Sequence, residues 1–196
     1  MTQKTTAVFL DRDGTINEEV GYLDSADKLM IYPEAFEAIR LINESGMKAV
    51  VITNQAGIAK GLFTEDFVRD IHDRIQTRLL EQGAHIDRFY YCPHHPTDGL
   101  DPYRKICPCR KPAPGLVQQA ARDLGLDLAR SYIVGDRYRD IEAGHRAGTR
   151  GVLVMTGYGR DLMQQAGPDQ ANDLNRPDAV VQDLLEAVLW ILKDRT

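Results

Sequence analysis

The sequence predicts an α/β fold, an open and mostly parallel sheet with helices on both faces. Two observations carry this. Short apolar runs alternate with helical patterns along the chain, the order that builds such a sheet. Three of the runs also lead into side chains suited to phosphate or metal chemistry: Asp11 follows Ala7 to Leu10, Thr53 ends the run from Ala49, and Asp136 follows Tyr132 to Gly135. In a Rossmann-like, doubly wound sheet, ligands bind beyond the carboxyl ends of the strands, so these three side chains are expected to share one crevice.

The elements follow in order. Ala7 to Leu10 is a first short strand. Pro33 to Ser45 reads as a helix, with Pro in its first turn, apolar residues at Phe36, Ile39, Leu41 and Ile42, and Gly46 as its stop. The β-branched run Ala49 to Thr53 is a strand buried on both faces. Thr64 caps a long amphipathic helix carrying Phe67, Val68, Ile71, Ile75, Leu79 and Leu80. Ile86 to Tyr91 is a third strand, Pro114 to Gly125 a helix, and Tyr132 to Asp136 a fourth strand. A helix from Tyr138 to Ala147 is closed by Gly148. Gly151 to Met155 and Ala179 to Val181 are short strands, and Leu184 to Leu192 is a last helix. The stretch from Ile16 to Ile31 has room only for a small flap, and no large cap domain interrupts the chain.

At 196 residues the chain suits one domain, residues 1–196, with a core of its own. A net charge of -5 gives no basic footprint for nucleic acid or an anionic membrane. No apolar run approaches the roughly 20 residues that span a bilayer, and the polar start from Met1 to Thr6 does not resemble a signal peptide. A cytoplasmic location follows as the expectation. With no apolar seam evident, a monomer is expected too.

Phosphoryl transfer needs a nucleophile, positive charge on the transferring oxygens and a proton donor for the leaving group. Asp11 and Asp136 are hard oxygen donors of the kind Mg²⁺ prefers. A carboxylate beside Mg²⁺ and a lysine stays ionised and can attack phosphorus. If the strand continues to Asp13, its side chain shares a face with that of Asp11; in a turn, Asp13 could instead reach the leaving oxygen as general acid and then serve as base for water. Thr53 offers a hydroxyl, Asn54 an amide, and Lys111 a cation fixed between Arg110 and Pro112. Each piece alone is an ordinary turn or surface feature. All of them in order, at strand ends, are not.

Cys92 to Lys111 is different in kind. It holds all three cysteines and four of the nine prolines, with little periodicity. A long stretch without regular structure calls for a reason, and a metal supplies one. Cys92-Pro93-His94 and Cys107-Pro108-Cys109, twelve residues apart, make a Cys₃His set suited to a closed tetrahedral Zn²⁺ site, with His95 a competing ligand. Four protein ligands leave no position for water, so this zinc, in loop 92–109, is expected to be structural. Its role would be to shape the loop that delivers Arg110 and Lys111.

Asp11-x-Asp13-Gly14-Thr15, Thr53-Asn54, Lys111 and Gly135-Asp136-x-x-x-Asp140 resemble, in order and spacing, the four motifs of haloacid-dehalogenase-like phosphatases. The resemblance implies Asp11 as nucleophile, Asp13 as acid/base, and Thr53 and Lys111 as ligands of the transferring phosphoryl group. It implies Mg²⁺ held by Asp11, Asp136 and the backbone carbonyl of Asp13, with Asp140 either orienting metal waters or capping the next helix. Cys-Pro-His-His-Pro from Cys92, Cys-x-Cys-Arg-Lys-Pro from Cys107, and Asn54-Gln55-x-Gly57-Ile58-Ala59-x-Gly61 narrow it. From about Ala7 to Met155 the chain resembles bacterial heptose-bisphosphate phosphatases, which remove the 7-phosphate of D-glycero-D-manno-heptose 1,7-bisphosphate. That resemblance implies substrate contacts at Glu19, Val20, Gly21, Tyr22, Thr53, Asn54, Gln55, Ala56, Arg110, Lys111 and Arg137. Arg110 and Arg137 would serve the distal phosphate. Many relatives carry Lys at the position of Arg137. Two other readings are a histidinol-phosphate phosphatase, whose domain shares these motifs, and a zinc-ribbon interaction module without catalysis. After Thr156 no motif is recognised.

Overall fold

The computed structural model describes residues 5–165 and 173–195. Six parallel strands form one sheet in the order β3-β2-β1-β4-β5-β6. They are β1 (Ala7–Leu10), β2 (Lys48–Asn54), β3 (Arg88–Cys92), β4 (Tyr132–Gly135), β5 (Arg150–Val154) and β6 (Ala179–Val181). The order reverses between β1 and β4: β1 pairs with β2 on one side and with β4 on the other, and β4 leads on to β5. A crevice therefore opens at their carboxyl ends, directly beyond Leu10 and Gly135.

The helices are α1 (Pro33–Glu44), α2 (Glu65–Glu81), α3 (Gly115–Leu124), α4 (Tyr138–Ala147), α5 (Gly159–Gln165) and α6 (Leu184–Asp194). Strand alternation sorts them onto two faces. Val8, Leu10, Val51 and Val134 face a core shared with Ile39 and Ile42 of α1, Ile71, Ile75 and Leu79 of α2, and Val188 and Ile191 of α6. Ala7, Phe9, Val50, Ile52 and Ile133 point the other way, onto Leu116, Val117 and Ala120 of α3. The continuous apolar runs in the sequence reflect this double burial.

Caps fall where the sequence places them. Thr64 Oγ accepts the Phe67 N–H at 3.2 Å, and Gly125 and Gly148 close α3 and α4 in left-handed conformations. Boundaries shift by a residue or two: β3 starts at Arg88 rather than Ile86, and α6 runs on to Asp194. Helix α5 was not expected. Its seven residues carry a weak pattern, and its start is set by tertiary contacts described below. The expected flap is present as an excursion pinched at its base. Asn17 bridges Ile31, Glu18 N–H donates to Met30 O, and Leu23 and Leu29 are buried anchors. No helix of the described residues is long and apolar enough to cross a membrane.

Candidate active site

Asp11 emerges from β1 with its N–H still bound to Val134 O at 2.9 Å, so β4 fixes where its side chain points. Its Oδ1 accepts from the Arg12 N–H at 2.8 Å and sits 2.8 Å from Lys111 Nζ. Among the described residues Oδ2 makes no hydrogen bond. Burial pushes the Asp11 carboxyl upward and Asp140 adds to this, while the Lys111 ammonium opposes both; the net direction is up.

Lys111 lies beneath this floor rather than in the cavity, and it is 2% exposed. Its Nζ meets three acceptors: Asp11 Oδ1 and Asp140 Oδ1 at 2.8 Å and Ile52 O at 2.9 Å. That matches its three protons. Burial disfavours its charge, but Asp11 and Asp140 outweigh burial and raise its pKa. Asn54 clamps the backbone behind it: Nδ2 donates to Lys111 O and Oδ1 accepts Lys111 N–H, both at 3.1 Å. Asn54 thus adds a clamp on Lys111 to its expected part, with one amide proton committed to Lys111 O and a second left on Nδ2.

Asp13 is the best-partnered acid of the site. Burial would raise its pKa, but Arg12, with help from Asn17 and Gln55, overrides this and holds the carboxyl below its usual range. Arg12 NH2 contacts Oδ1 and Oδ2 at 2.9 and 2.8 Å, and Asn17 Nδ2 donates at 3.0 Å. Gln55 Nε2 donates both to Asp13 Oδ2 and to Thr53 Oγ1 at 2.9 Å. Gln55 thereby ties the second acid to the end of β2. Behind Arg12 lies His72, whose Nε2 is 3.4 Å from Arg12 NH1 and whose ring stacks on Phe89. Desolvation first, then Arg12, lowers the His72 pKa to about 3, so it is a neutral acceptor there.

Asp136 and Asp140 complete the floor. One ligand oxygen from each of Asp11, Asp136 and Asp140 lies within 4.8 Å of the others, and all three residues are buried. Burial and the carboxylates of Asp140 and Asp11 raise the Asp136 pKa. Asp136 Oδ2 accepts the Tyr158 N–H at 2.8 Å, whereas Oδ1 is buried with no partner. A buried, unsatisfied carboxylate oxygen among like charges is what a hard divalent cation relieves. These residues fit Mg²⁺. Gly14 and Gly157 press against the same carboxylate, and a Cβ at either would lie 2.2–2.3 Å from Asp136 Oδ2. Asp140 does two things at once, capping α4 by accepting the Arg137 N–H at 3.0 Å and gripping Lys111.

Above this floor is a cavity of about 230 Å³. Of the expected contact residues, Glu19, Gly21, Tyr22, Thr53, Gln55, Ala56, Arg110 and Arg137 line it, as does Asn54. Val20 does not; it is 40% exposed and outside the lining. Five lining residues were missed from the sequence: Leu23 and Gly57 directly follow expected contacts, and three others do not. Phe63 lies in a loop with no motif. Tyr158 follows Thr156, whose hydroxyl donates to Gly14 O at 2.6 Å, and its ring lies under the Arg137 guanidinium at 3.4 Å. Arg139 is the third, and its spacing two residues after Arg137 at a helix start is the only hint of it in sequence.

The cysteine loop forms the cluster expected of it. Cys92, His94, Cys107 and Cys109 place one donor atom each within 4.8 Å of the rest. The Sγ atoms are 3.0–3.5 Å apart and His94 Nδ1 is 3.3 Å from Cys109 Sγ. The thiols are free and too far apart for the roughly 2.05 Å of a disulfide. Contacts from Cys92 above all, with Cys107 and His94 after it, lower the Cys109 thiol to about 5 against the pull of burial. A Cys₃His set of this kind fits Zn²⁺. His95 is not part of this cluster, and its Nδ1 accepts the Asp98 N–H at 2.9 Å. The loop reaches the cavity through His94, whose carbonyl accepts from Arg110 NH1 at 3.1 Å.

Comparisons with known proteins agree with this geometry. A sequence-family profile described as "HAD-hyrolase-like" matches residues 108–187. The D-glycero-beta-D-manno-heptose-1,7-bisphosphate 7-phosphatase of Yersinia pestis is 42% identical over 159 residues, covering 80% of this chain and 84% of that protein. The D-glycero-D-manno-heptose-1,7-bisphosphate 7-phosphatase of Chlorobaculum tepidum is 38% identical over 192 residues, covering 95% and 94%. A crystal structure of D,D-heptose 1,7-bisphosphate phosphatase from B. bronchiseptica, complexed with magnesium and phosphate, superposes with a TM-score of 0.83. It is 34% identical and covers 97% of this chain and 99% of its own. The chain belongs to the heptose-1,7-bisphosphate 7-phosphatase family of HAD-like hydrolases.

Proposed function

We propose that this protein removes the 7-phosphate of D-glycero-D-manno-heptose 1,7-bisphosphate through an aspartyl-phosphate on Asp11. The observation that carries this is Asp11 itself. It is a nearly buried carboxylate at a strand end, with Oδ1 fixed by Lys111 and Arg12 and Oδ2 uncommitted, facing a cavity that contains arginines.

Asp11 Oδ2 attacks phosphorus in line with the leaving sugar oxygen, and Thr53 Oγ orients the transferring group. Lys111 acts from below, favouring the ionised form of Asp11 against burial and adding positive charge under the developing trigonal phosphoryl. Asp11, Asp136 and the Asp13 carbonyl would hold Mg²⁺, which would supply positive charge to the phosphoryl oxygens. Asp13 is held ionised against Arg12, the form that suits proton abstraction from the hydrolytic water. To protonate the leaving oxygen it must first turn away from Arg12, and leaving the guanidinium raises its proton affinity. Arg110 and Arg137 receive the second phosphate, the first braced by His94 O and the second by the Tyr158 ring. Glu19, Gly21, Tyr22, Gln55 and Ala56 shape the sugar site.

Residues 1–196 act as one catalytic domain, with Zn²⁺ on Cys92, His94, Cys107 and Cys109 as a structural brace. Three free thiols suit a reducing compartment, which supports a cytoplasmic location. We take the active form as a monomer whose partner is the small sugar phosphate, with neither nucleic acid nor membrane involved. The test is side-by-side turnover of heptose 1,7-bisphosphate and histidinol phosphate with Mg²⁺. The expected result is phosphate release from the bisphosphate, leaving the 1-phosphate. Faster turnover of histidinol phosphate would overturn the substrate assignment.

A further inference from the structure

We infer that Arg139 is a third substrate arginine, which together with Arg110 grips the phosphate that is not transferred. The inference rests on the bisphosphatase reading above and adds a residue that neither the motifs nor their spacing assign.

Arginines elsewhere in the molecule commonly sit against carboxylates: Arg12, Arg40, Arg69, Arg74, Arg104, Arg146 and Arg150 all form ion pairs. Arg110, Arg137 and Arg139 line the cavity, and among the described residues none forms one. Arg139 Nε, like Arg137 Nε, is buried with no hydrogen-bond partner. A shielded guanidinium donor without an acceptor is costly, and burial of such a group normally comes with one. Its charge is steadied at a distance by Asp140, Asp11, Asp136 and Glu19, none within ion-pair range.

Position assigns the ligand. The transferring phosphoryl group at Asp11 already has Lys111 beneath it and the Asp11–Asp136–Asp140 cluster for a cation. Arg139 stands on the first turn of α4, in the same lining as Arg110, and the two guanidinium charges repel each other. Two like charges facing one cavity become favourable when an anion with several acceptor oxygens sits between them. The non-transferred phosphate is a group of that chemistry. Arg110 arrives from the zinc loop and Arg139 from the helix after Asp136. The grip would therefore join the two halves of the site only when a second phosphate is present.

The experiment compares wild type, Arg139→Gln and Arg139→Lys on heptose 1,7-bisphosphate and on heptose 7-phosphate, which lacks the second phosphate, at saturating Mg²⁺. For Arg139→Gln we expect kcat/KM on the bisphosphate to fall about 10–100-fold, mostly through KM. Turnover of the 7-phosphate should fall by much less than that of the bisphosphate, so the preference for the bisphosphate collapses. Arg139→Lys should recover only part of the preference, since it keeps charge but not the fork. Equal losses on both substrates, or full recovery with Lys, would show that Arg139 only balances the charge of the aspartates and would overturn the assignment. Wild-type protein that leaves the bisphosphate intact would remove the substrate reading and this inference together. Wild-type turnover with an unchanged preference in Arg139→Gln would remove the inference alone.

Discussion

The molecule has two clusters suited to metals, and they are built in opposite ways. The carboxylate cluster of Asp11, Asp136 and Asp140 stands on strand ends and a helix cap, with backbone and side-chain partners fixing each residue. Without a cation it is a site of mutual repulsion, in which Asp136 Oδ1 has no partner and Asp140 Oδ1 has only the Lys111 ion pair. The thiol cluster of Cys92, Cys107 and Cys109 with His94 sits in a loop that contributes only Cys92, at the end of β3, to a strand. There the metal substitutes for a core. The difference teaches what each is for. The strand-end cluster exists whether or not the metal is there and keeps its open side for chemistry. The thiol cluster makes the loop and reaches the site through Arg110 and Lys111, which follow Cys109, through the His94–Arg110 contact, and through the Gln55 N–H donated to Cys92 O.

The comparison can be broken in several ways, the largest first. Asp11→Asn should lower turnover of the bisphosphate by about 10⁴-fold or more while leaving the melting temperature near or above that of wild type, because it removes one of three crowded acids. Phosphate release and thermal unfolding check the two halves. Cys92→Ser should do the reverse. It should cost about 3 kcal/mol, seen as a Tm drop of about 6–12 °C with loss of bound zinc, and should raise KM more than it lowers kcat. If instead kcat alone collapsed with Tm intact, the thiol cluster would be part of the chemistry.

Asn54→Ala is expected to have an intermediate effect. It removes both hydrogen bonds to the Lys111 backbone, worth about 1–3 kcal/mol in this buried setting. Steady-state kinetics should show kcat reduced about 10–100-fold with KM little changed, since Lys111 supports the reacting group and not the sugar. A pure KM effect would show the amide acting mainly as a phosphate ligand.

The smallest effect at neutral pH concerns His72. Its folded-state pKa is lowered from 6.5 to about 3 by burial and Arg12. The unfolded chain takes up a proton below about pH 6.5 and the native state does not, so stability present above that pH is lost as pH falls toward 3. His72→Gln should flatten this acid limb, on the order of a few kcal/mol in full, and change little above pH 7. Thermal melts across pH 4–8 measure it; an unchanged limb would mean that His72 is not a buried neutral base behind Arg12.

Much of the site can be read in sequence because it lies on the backbone's most regular parts. Asp11, Thr53 and Asp136 follow β-branched or apolar runs, and a parallel sheet brings strand ends together whatever the loops do. The Cys₃His cluster is legible because its donor types are rare and close in sequence. Two things do not show. Side-chain hydrogen bonding ties Asn54 to Lys111, and the path of the loop brings His94, not His95, to the thiols; spacing carries no information about either. Contacts from Thr156 and Tyr158 to Gly14 and Asp136 come from residues about 20 or 140 positions away. No local pattern marks a backbone N–H that happens to meet a carboxylate. Arg139 shares this fate, since an arginine in the first turn of a helix looks like solvated surface until the cavity is seen.

The central claim is that Asp11 carries the phosphoryl group, and acid-quenched mass analysis during turnover of heptose 1,7-bisphosphate addresses it most directly. The expected result is one added phosphoryl group on the peptide containing Asp11, absent in Asp11→Asn. Full turnover with no phosphoryl group on Asp11, or with the group on another residue, would contradict it.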